Sequence, residues 1–104
     1  MTMKNIEKRQ YRAIGHKLKP IVTVGGSGLS ETVIAEVDRA LNDHELIKIK
    51  CAGMDRDSKA EIISDLCGEL NAEAVQVIGN TALLLRRSKK PNPKLSNLIR
   101  AALA

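Results

Sequence analysis

At 104 residues, 43% of them apolar and 28% charged, the chain has the composition of one folded domain, too short for a second of ordinary size and too apolar for a disordered tail. Its formal net charge is +5, and its whole aromatic content is one tyrosine, Tyr11. Modules that read single-stranded bases stack them on exposed rings, so aromatic stacking is not expected to be a main source of affinity here.

The two cysteines, Cys51 and Cys67, have no second pair nearby, which fits neither a zinc site nor a disulfide framework and suggests buried thiols in a reducing, cytoplasmic setting. No apolar run approaches the ~18 residues of a membrane span, and the first residues lack the apolar core of a signal peptide. The acid-poor N-terminal segment could imitate an organellar transit peptide, but it has its own apolar positions and runs directly into a strand.

The charge is segregated. Residues 1–20 carry +5, residues 21–70 carry −5 and residues 71–104 carry +5 again. If folding brings the two ends together, they form one positive surface backed by a negative one, and such a surface attracts a polyanion by releasing its counterions.

Residues 4–17 read as an amphipathic helix with Ile6, Ala13 and Ile14 on one side and most of the basic groups on the other. Pro20 excludes helix at Lys19, and Ile21–Val24 is a short buried strand. Gly25-Gly26-Ser27-Gly28 follows, and Ser30 is a natural N-cap for a helix to about Asn42 with Val33, Ile34, Val37, Ala40 and Leu41 as its stripe. Leu46–Ala52 alternates Ile47, Ile49 and Cys51 against Lys48 and Lys50, the pattern of a strand with one wet face.

Ser58 and Glu61 form an apparent capping box for a third helix, with Ile62, Ile63, Leu66, Cys67 and Leu70 inward. Ala74–Ile78 and Ala82–Leu85 are strands joined by a tight Gly79-Asn80 turn, expected to be antiparallel. Residues 88–93 are a basic connector, and Leu95, Leu98, Ile99, Ala102 and Leu103 could place a short helix at the end or form a frayed tail. The order α-β-α-β-α-β-β predicts an α/β domain with a mixed four-stranded sheet, in which the two strand-helix-strand units imply parallel pairs and the hairpin an antiparallel one.

A strand, a glycine-rich turn and a helix N-terminus together make an anion-binding geometry, because unpaired N–H groups and the helix dipole converge. The enzyme versions of this device do not match. The dinucleotide fingerprint would need glycine where Glu31 stands, and Gly28-Leu29-Ser30 lacks the lysine of a mononucleotide loop. A lone Gly-x-x-Gly is as readily a tight turn with no ligand, but here Lys17 and Lys19 precede the strand and Lys48 and Lys50 form a pair on the next one.

Four stretches in order carry a more specific signal: His16-Lys17-Leu18-Lys19-Pro20, Gly25-Gly26-Ser27-Gly28-Leu29-Ser30, His44-Glu45-Leu46-Ile47-Lys48-Ile49-Lys50 and Val75-Gln76-Val77-Ile78-Gly79. Together they resemble the CRM domain of chloroplast RNA splicing and ribosome maturation proteins, in its stand-alone bacterial, YhbY-like form. The resemblance spans about residues 5–87 and implies a fold related to the C-terminal domain of a bacterial translation initiation factor. It further implies a ribosome assembly factor on the RNA of the precursor large (50S) subunit, with Gly25–Gly28 and nearby basic residues as the RNA contact. Ser30 stands where the family usually has threonine and keeps the capping oxygen. KH domains also use a Gly-x-x-Gly loop, but between two helices, whereas this loop follows a strand.

The expected RNA-binding residues are Arg9, Arg12, Lys17, Lys19, Gly25, Gly26, Ser27, Gly28, Lys48, Lys50, Arg86 and Arg87, the cations neutralising phosphates and Gly26–Gly28 donating N–H groups. Residues 1–88 would form the CRM-like domain and 89–104 the connector and short helix. No catalytic residue, metal or cofactor is expected: His16 and His44 lack ligand or triad neighbours, and Asp55, Asp57, Glu61 and Asp65 fit helix capping and a solvated face. A cytoplasmic monomer with no membrane or small-molecule partner is expected. The competing readings are a protein–protein adaptor using the C-terminal helix and a small nucleotide-using enzyme.

Overall fold

A computed structural model of the chain describes residues 5–26 and 28–103, with the side chains of Asn5 and Ile6 outside that description. The elements follow in order: α1 (Asn5–His16), β1 (Pro20–Val24), α2 (Glu31–His44), β2 (Leu46–Cys51), α3 (Arg56–Leu70), β3 (Glu73–Ile78), β4 (Thr81–Leu85) and α4 (Asn97–Leu103). The C-terminal stretch is therefore a helix rather than a frayed tail.

The strands form one mixed sheet in the order β1-β2-β4-β3. β1 runs parallel to β2, while β4 is antiparallel to both β2 and β3. Of the two parallel pairs expected from the strand-helix-strand units, only β1/β2 forms. β2 and β3 point the same way, but β4 lies between them. The physical reason is visible in β4, where Ala82, Leu83, Leu84 and Leu85 are all buried: a strand apolar on both faces belongs in the middle of a sheet.

Two apolar layers flank the sheet. On one face Val22, Val24, Ile47, Ile49, Cys51, Ala82 and Leu84 meet Val37, Ala40 and Leu41 of α2 and Ile63 and Leu66 of α3. On the other face Leu46, Val75, Leu83 and Leu85 meet Tyr11 and Ile14 of α1, Leu18, and Leu98 of α4. Each fully buried leucine, such as Leu41, Leu66 and Leu84, contributes roughly 1.5–3 kcal/mol from area removed from water. α1 comes very close to the sheet at Gly15, where a Cβ would lie 2.6 Å from Leu83 Cδ1 and closer still to Cδ2. Glycine in that turn lets the helix settle directly over Leu83.

The first and last helices do meet. α1 and α4 touch each other on the same sheet face, so these two helices share one side and the acidic helices α2 and α3 the other. α3 begins one turn earlier than the Ser58–Glu61 pattern suggested. Asp55 is its N-cap, accepting from the Ser58 N–H at 2.8 Å, so Ser58 is already helical. Aspartate is as good a cap as serine, and the earlier start adds a turn of backbone hydrogen bonds.

Candidate nucleic-acid interface

β1 runs into the glycine loop, which reverses the chain through a Gly28 N–H to Gly25 carbonyl bond of 3.0 Å, with Gly28 at φ 85°. That left-handed backbone favours glycine at position 28. The Gly28 N–H is therefore used by the turn itself, not free to donate outward as the sequence suggested. The Gly26 N–H has no backbone partner among the described residues. Ser27 lies outside the described residues.

Packing does not explain the other two glycines. A Cβ on Gly25 would meet nothing within 4 Å, and one on Gly26 would stand 3.6 Å from the Gly53 carbonyl, an ordinary contact. What side chains there would fill is the approach to the loop. Ser30 caps α2 as expected, its hydroxyl accepting from the Val33 N–H at 3.1 Å, so the positive end of that helix opens beside the loop.

The surroundings of the loop are asymmetric. Towards α3, Gly26 and Gly28 share a hollow with Asp55, Glu61 and Asp65. The Asp55 carboxyl is held below the ordinary carboxylate range, first by the backbone hydrogen bond from Ser58, so it is charged at neutral pH. On the other side of the sheet, Lys50 sits beside Thr23 and Lys48 beside Pro20 in the β1/β2 register. The loop thus has an acidic flank towards α3, whereas the two lysines of β2 lie on the sheet face that α1 and α4 flank.

That face collects most of the expected cations. Arg9 and Arg12 are exposed on α1 and continue, at helical spacing, to exposed His16. His16 rims a hollow over the sheet with Lys48, Gln76 and Thr81. Beyond Lys48 a second hollow brings together Lys19, Arg100 and Asn97, with exposed Ile21 at the β1 edge. Lys17 is exposed where α1 ends. Arg100 was missed in the sequence, although a basic residue in an amphipathic terminal helix was a usable signal once both ends were expected to meet.

Arg86 and Arg87 are not brought to this group. Leu85 pairs with Leu46, which places them at the end of the sheet remote from the glycine loop. The Arg86 guanidinium is engaged inside the protein: one nitrogen donates to Asp38 Oδ1 at 2.7 Å and the Leu70 carbonyl at 3.1 Å, the other to the Asp38 carbonyl and Asn42 Oδ1, both at 2.9 Å. It ties α2 to the end of α3. Arg87 is exposed.

His44 also has a scaffold contact, its Nδ1–H donating to the Leu95 carbonyl at 2.8 Å. Burial raises the thiol pKa of Cys51 and of Cys67, which keeps both protonated at neutral pH. Among the described residues no group of three or more His, Cys, Asp or Glu side chains could hold a metal ion, and no helix is long and apolar enough to cross a membrane.

Comparison with known proteins finds relatives that match nearly the whole chain. The chain is 46% identical over 102 residues to the Probable RNA-binding protein PA4753 of Pseudomonas aeruginosa, covering 98% of each chain. It is 43% identical over 94 residues to an RNA-binding protein of Haemophilus influenzae, covering 90% of this chain and 95% of that one. Its fold matches the solution structure of SAV1595 from Staphylococcus aureus, a candidate RNA binding protein, at a TM-score of 0.75 and 32% identity, over 86% of this chain and 93% of that one. The family model of the CRS1 / YhbY (CRM) domain matches residues 3–86, and the chain belongs to that family.

Proposed function

We propose that this protein binds structured RNA by its sugar-phosphate backbone, between the glycine loop and the basic face of the sheet, and acts without catalysis as a cytoplasmic, monomeric assembly factor on the precursor of the large ribosomal subunit. The observation that supports the reading is the gathering of Lys48 and Lys50 on β2 with the cations of α1 and α4 on one sheet face, at the end of which β1 runs on from beside Lys50 into an unfilled loop at Gly25 and Gly26. RNA as the partner is supported by the names of the relatives, and the ribosomal target by the resemblance in the four quoted stretches. The phosphate contacts fall to Arg9, Arg12, Lys17, Lys19, Lys48, Lys50 and, added from the structure, Arg100. Arg86 is assigned to the scaffold. The adaptor reading loses support because α4 turns Leu98 into the core.

The test is a titration of a large-subunit ribosomal RNA fragment across a salt series. Each neutralised phosphate contributes a slope of about −0.7 to −0.9 in log affinity against log salt, so steep salt dependence is expected. Gly25→Asp introduces a negative charge where a side chain meets no atom, and should weaken binding at least ten-fold while Gly25→Ala, equally well accommodated, weakens it less. Equal binding by wild type and Gly25→Asp would remove the loop from the interface, and salt-independent binding would remove the backbone clamp.

A further inference from the structure

The hollow between α1 and the β3 side of the sheet has a composition that phosphate binding does not require. We infer that it seats one unpaired nucleotide and reads the edge of its base, so that the domain combines backbone grip with a single point of base recognition. The inference rests on the RNA-binding reading above and goes beyond it.

The hollow measures about 280 Å³ and is lined by His16, Lys48, Gln76, Ile78, Thr81 and Leu83. Pockets for drug-sized ligands begin at roughly 300 Å³, so this one suits a single ring system rather than a larger molecule. Its floor is set by the sheet register. Lys48, Leu83 and Gln76 lie side by side across β2, β4 and β3, with Thr81 and Ile78 paired in the next row. Leu83 is almost fully buried, whereas Ile78 is 62% exposed, an apolar surface left open beside it. A base lying on these aliphatic side chains would cover Ile78 without needing the aromatic platform that the chain lacks.

The polar groups are arranged to read rather than only to attract. The Gln76 side-chain amide makes no hydrogen bond among the described residues, so its carbonyl and NH₂ are together available to a base edge, which offers a donor beside an acceptor. Thr81 Oγ1 donates to the Ile78 carbonyl at 3.0 Å, which orients the hydroxyl so that it faces a ligand as an acceptor. Lys48 stands at the opposite rim and is shared with the second hollow containing Lys19 and Arg100, so a phosphate attached to the seated nucleotide would meet a cation on leaving the pocket. An unpaired nucleotide is the occupant that matches this set: an anionic backbone for Lys48, a flat apolar face for Leu83 and Ile78, and paired hydrogen bonds for Gln76.

The experiment uses the full chain and a pool of RNA hairpins with a common stem and a randomised loop, with bound and unbound fractions sequenced. Wild type should enrich one base at one loop position by about ten-fold, the discrimination expected of one paired hydrogen-bond contact. Gln76→Leu should reduce that enrichment to under two-fold with the salt slope unchanged, and Gln76→Glu should change which base is preferred. Both variants are checked for folding by circular dichroism. A wild-type preference that survives in both variants, or no positional preference in wild type, overturns the base-reading site while leaving backbone binding intact. Absence of binding to every hairpin at low salt overturns the RNA-binding reading instead.

Discussion

The Ser96 hydroxyl donates to Glu45 Oε1 at 2.8 Å, joining two fully or nearly fully buried polar side chains that are 51 residues apart. The other carboxylate oxygen of Glu45 accepts the Ser88 N–H at 2.6 Å, and its carbonyl accepts the Arg86 N–H at 2.9 Å. Glu45 itself takes φ 62° to turn the chain from α2 into β2, an unusual backbone for a residue with a side chain. One residue thus closes α2, starts β2 and anchors the segment that leads to α4.

Ser96→Ala leaves one oxygen of a buried carboxylate without its donor and removes the hydroxyl at the start of α4, which also accepts from the Ile99 N–H at 3.3 Å. The expected loss of stability is about 1–3 kcal/mol, measured by urea unfolding. Because α4 carries Arg100 and Asn97 to the hollow beside Lys48, RNA affinity should fall as well. A variant as stable as wild type would show that the Glu45 carboxylate finds another partner.

Arg86 separates scaffold from interface. Lysine keeps the charge but cannot reproduce the forked set of bonds to Asp38, Asn42 and Leu70, so Arg86→Lys should cost about 2 kcal/mol of stability. RNA affinity of the folded variant should stay within two-fold of wild type. Lys50→Ala should do the reverse, leaving the unfolding midpoint nearly unchanged while weakening RNA binding and making the salt slope shallower by about 1. A large affinity loss in Arg86→Lys at full folding would return Arg86 to the interface.

The α3 cap should be visible in the pH dependence of stability. The folded-state pKa of Asp55 is lowered, so its carboxylate stabilises the fold above the unfolded-state value of about 3.9, and that contribution disappears as pH falls through the lower folded-state value. Asp55→Ala should therefore have a lower Tm than wild type at pH 7, with the gap narrowing below about pH 4. Asp55→Asn should retain most of the cap and lose the pH-dependent part. A gap between wild type and Asp55→Ala that is constant from pH 7 to pH 3 would assign the effect to something other than the charged cap.

Helices and strands were legible because each is encoded by a short-range pattern: the stripe of Val33, Val37, Ala40 and Leu41, the alternation of Ile47, Ile49 and Cys51 against Lys48 and Lys50, the Pro20 and glycine boundaries. The glycine loop, the Ser30 cap and the cations before and after β1 were legible for the same reason, and the family resemblance added RNA as the partner class through order and spacing. The insertion of β4 between β2 and β3 was decided by which strand could bury both faces, a competition among distant segments. The uninterrupted run Ala82–Leu85 carried that signal, beside Glu73–Ile78 with its exposed Val77 and Ile78. Arg86, expected at the RNA interface, and Glu45 and Ser96 gave no sign in the sequence of their internal partners, because those partners lie tens of positions away. Local chemistry determined the elements and the loop; the tertiary structure alone decided which cations gather on one sheet face and which, like Arg86, are held inside, because charge carries no label for the partner that will claim it until the chain has folded.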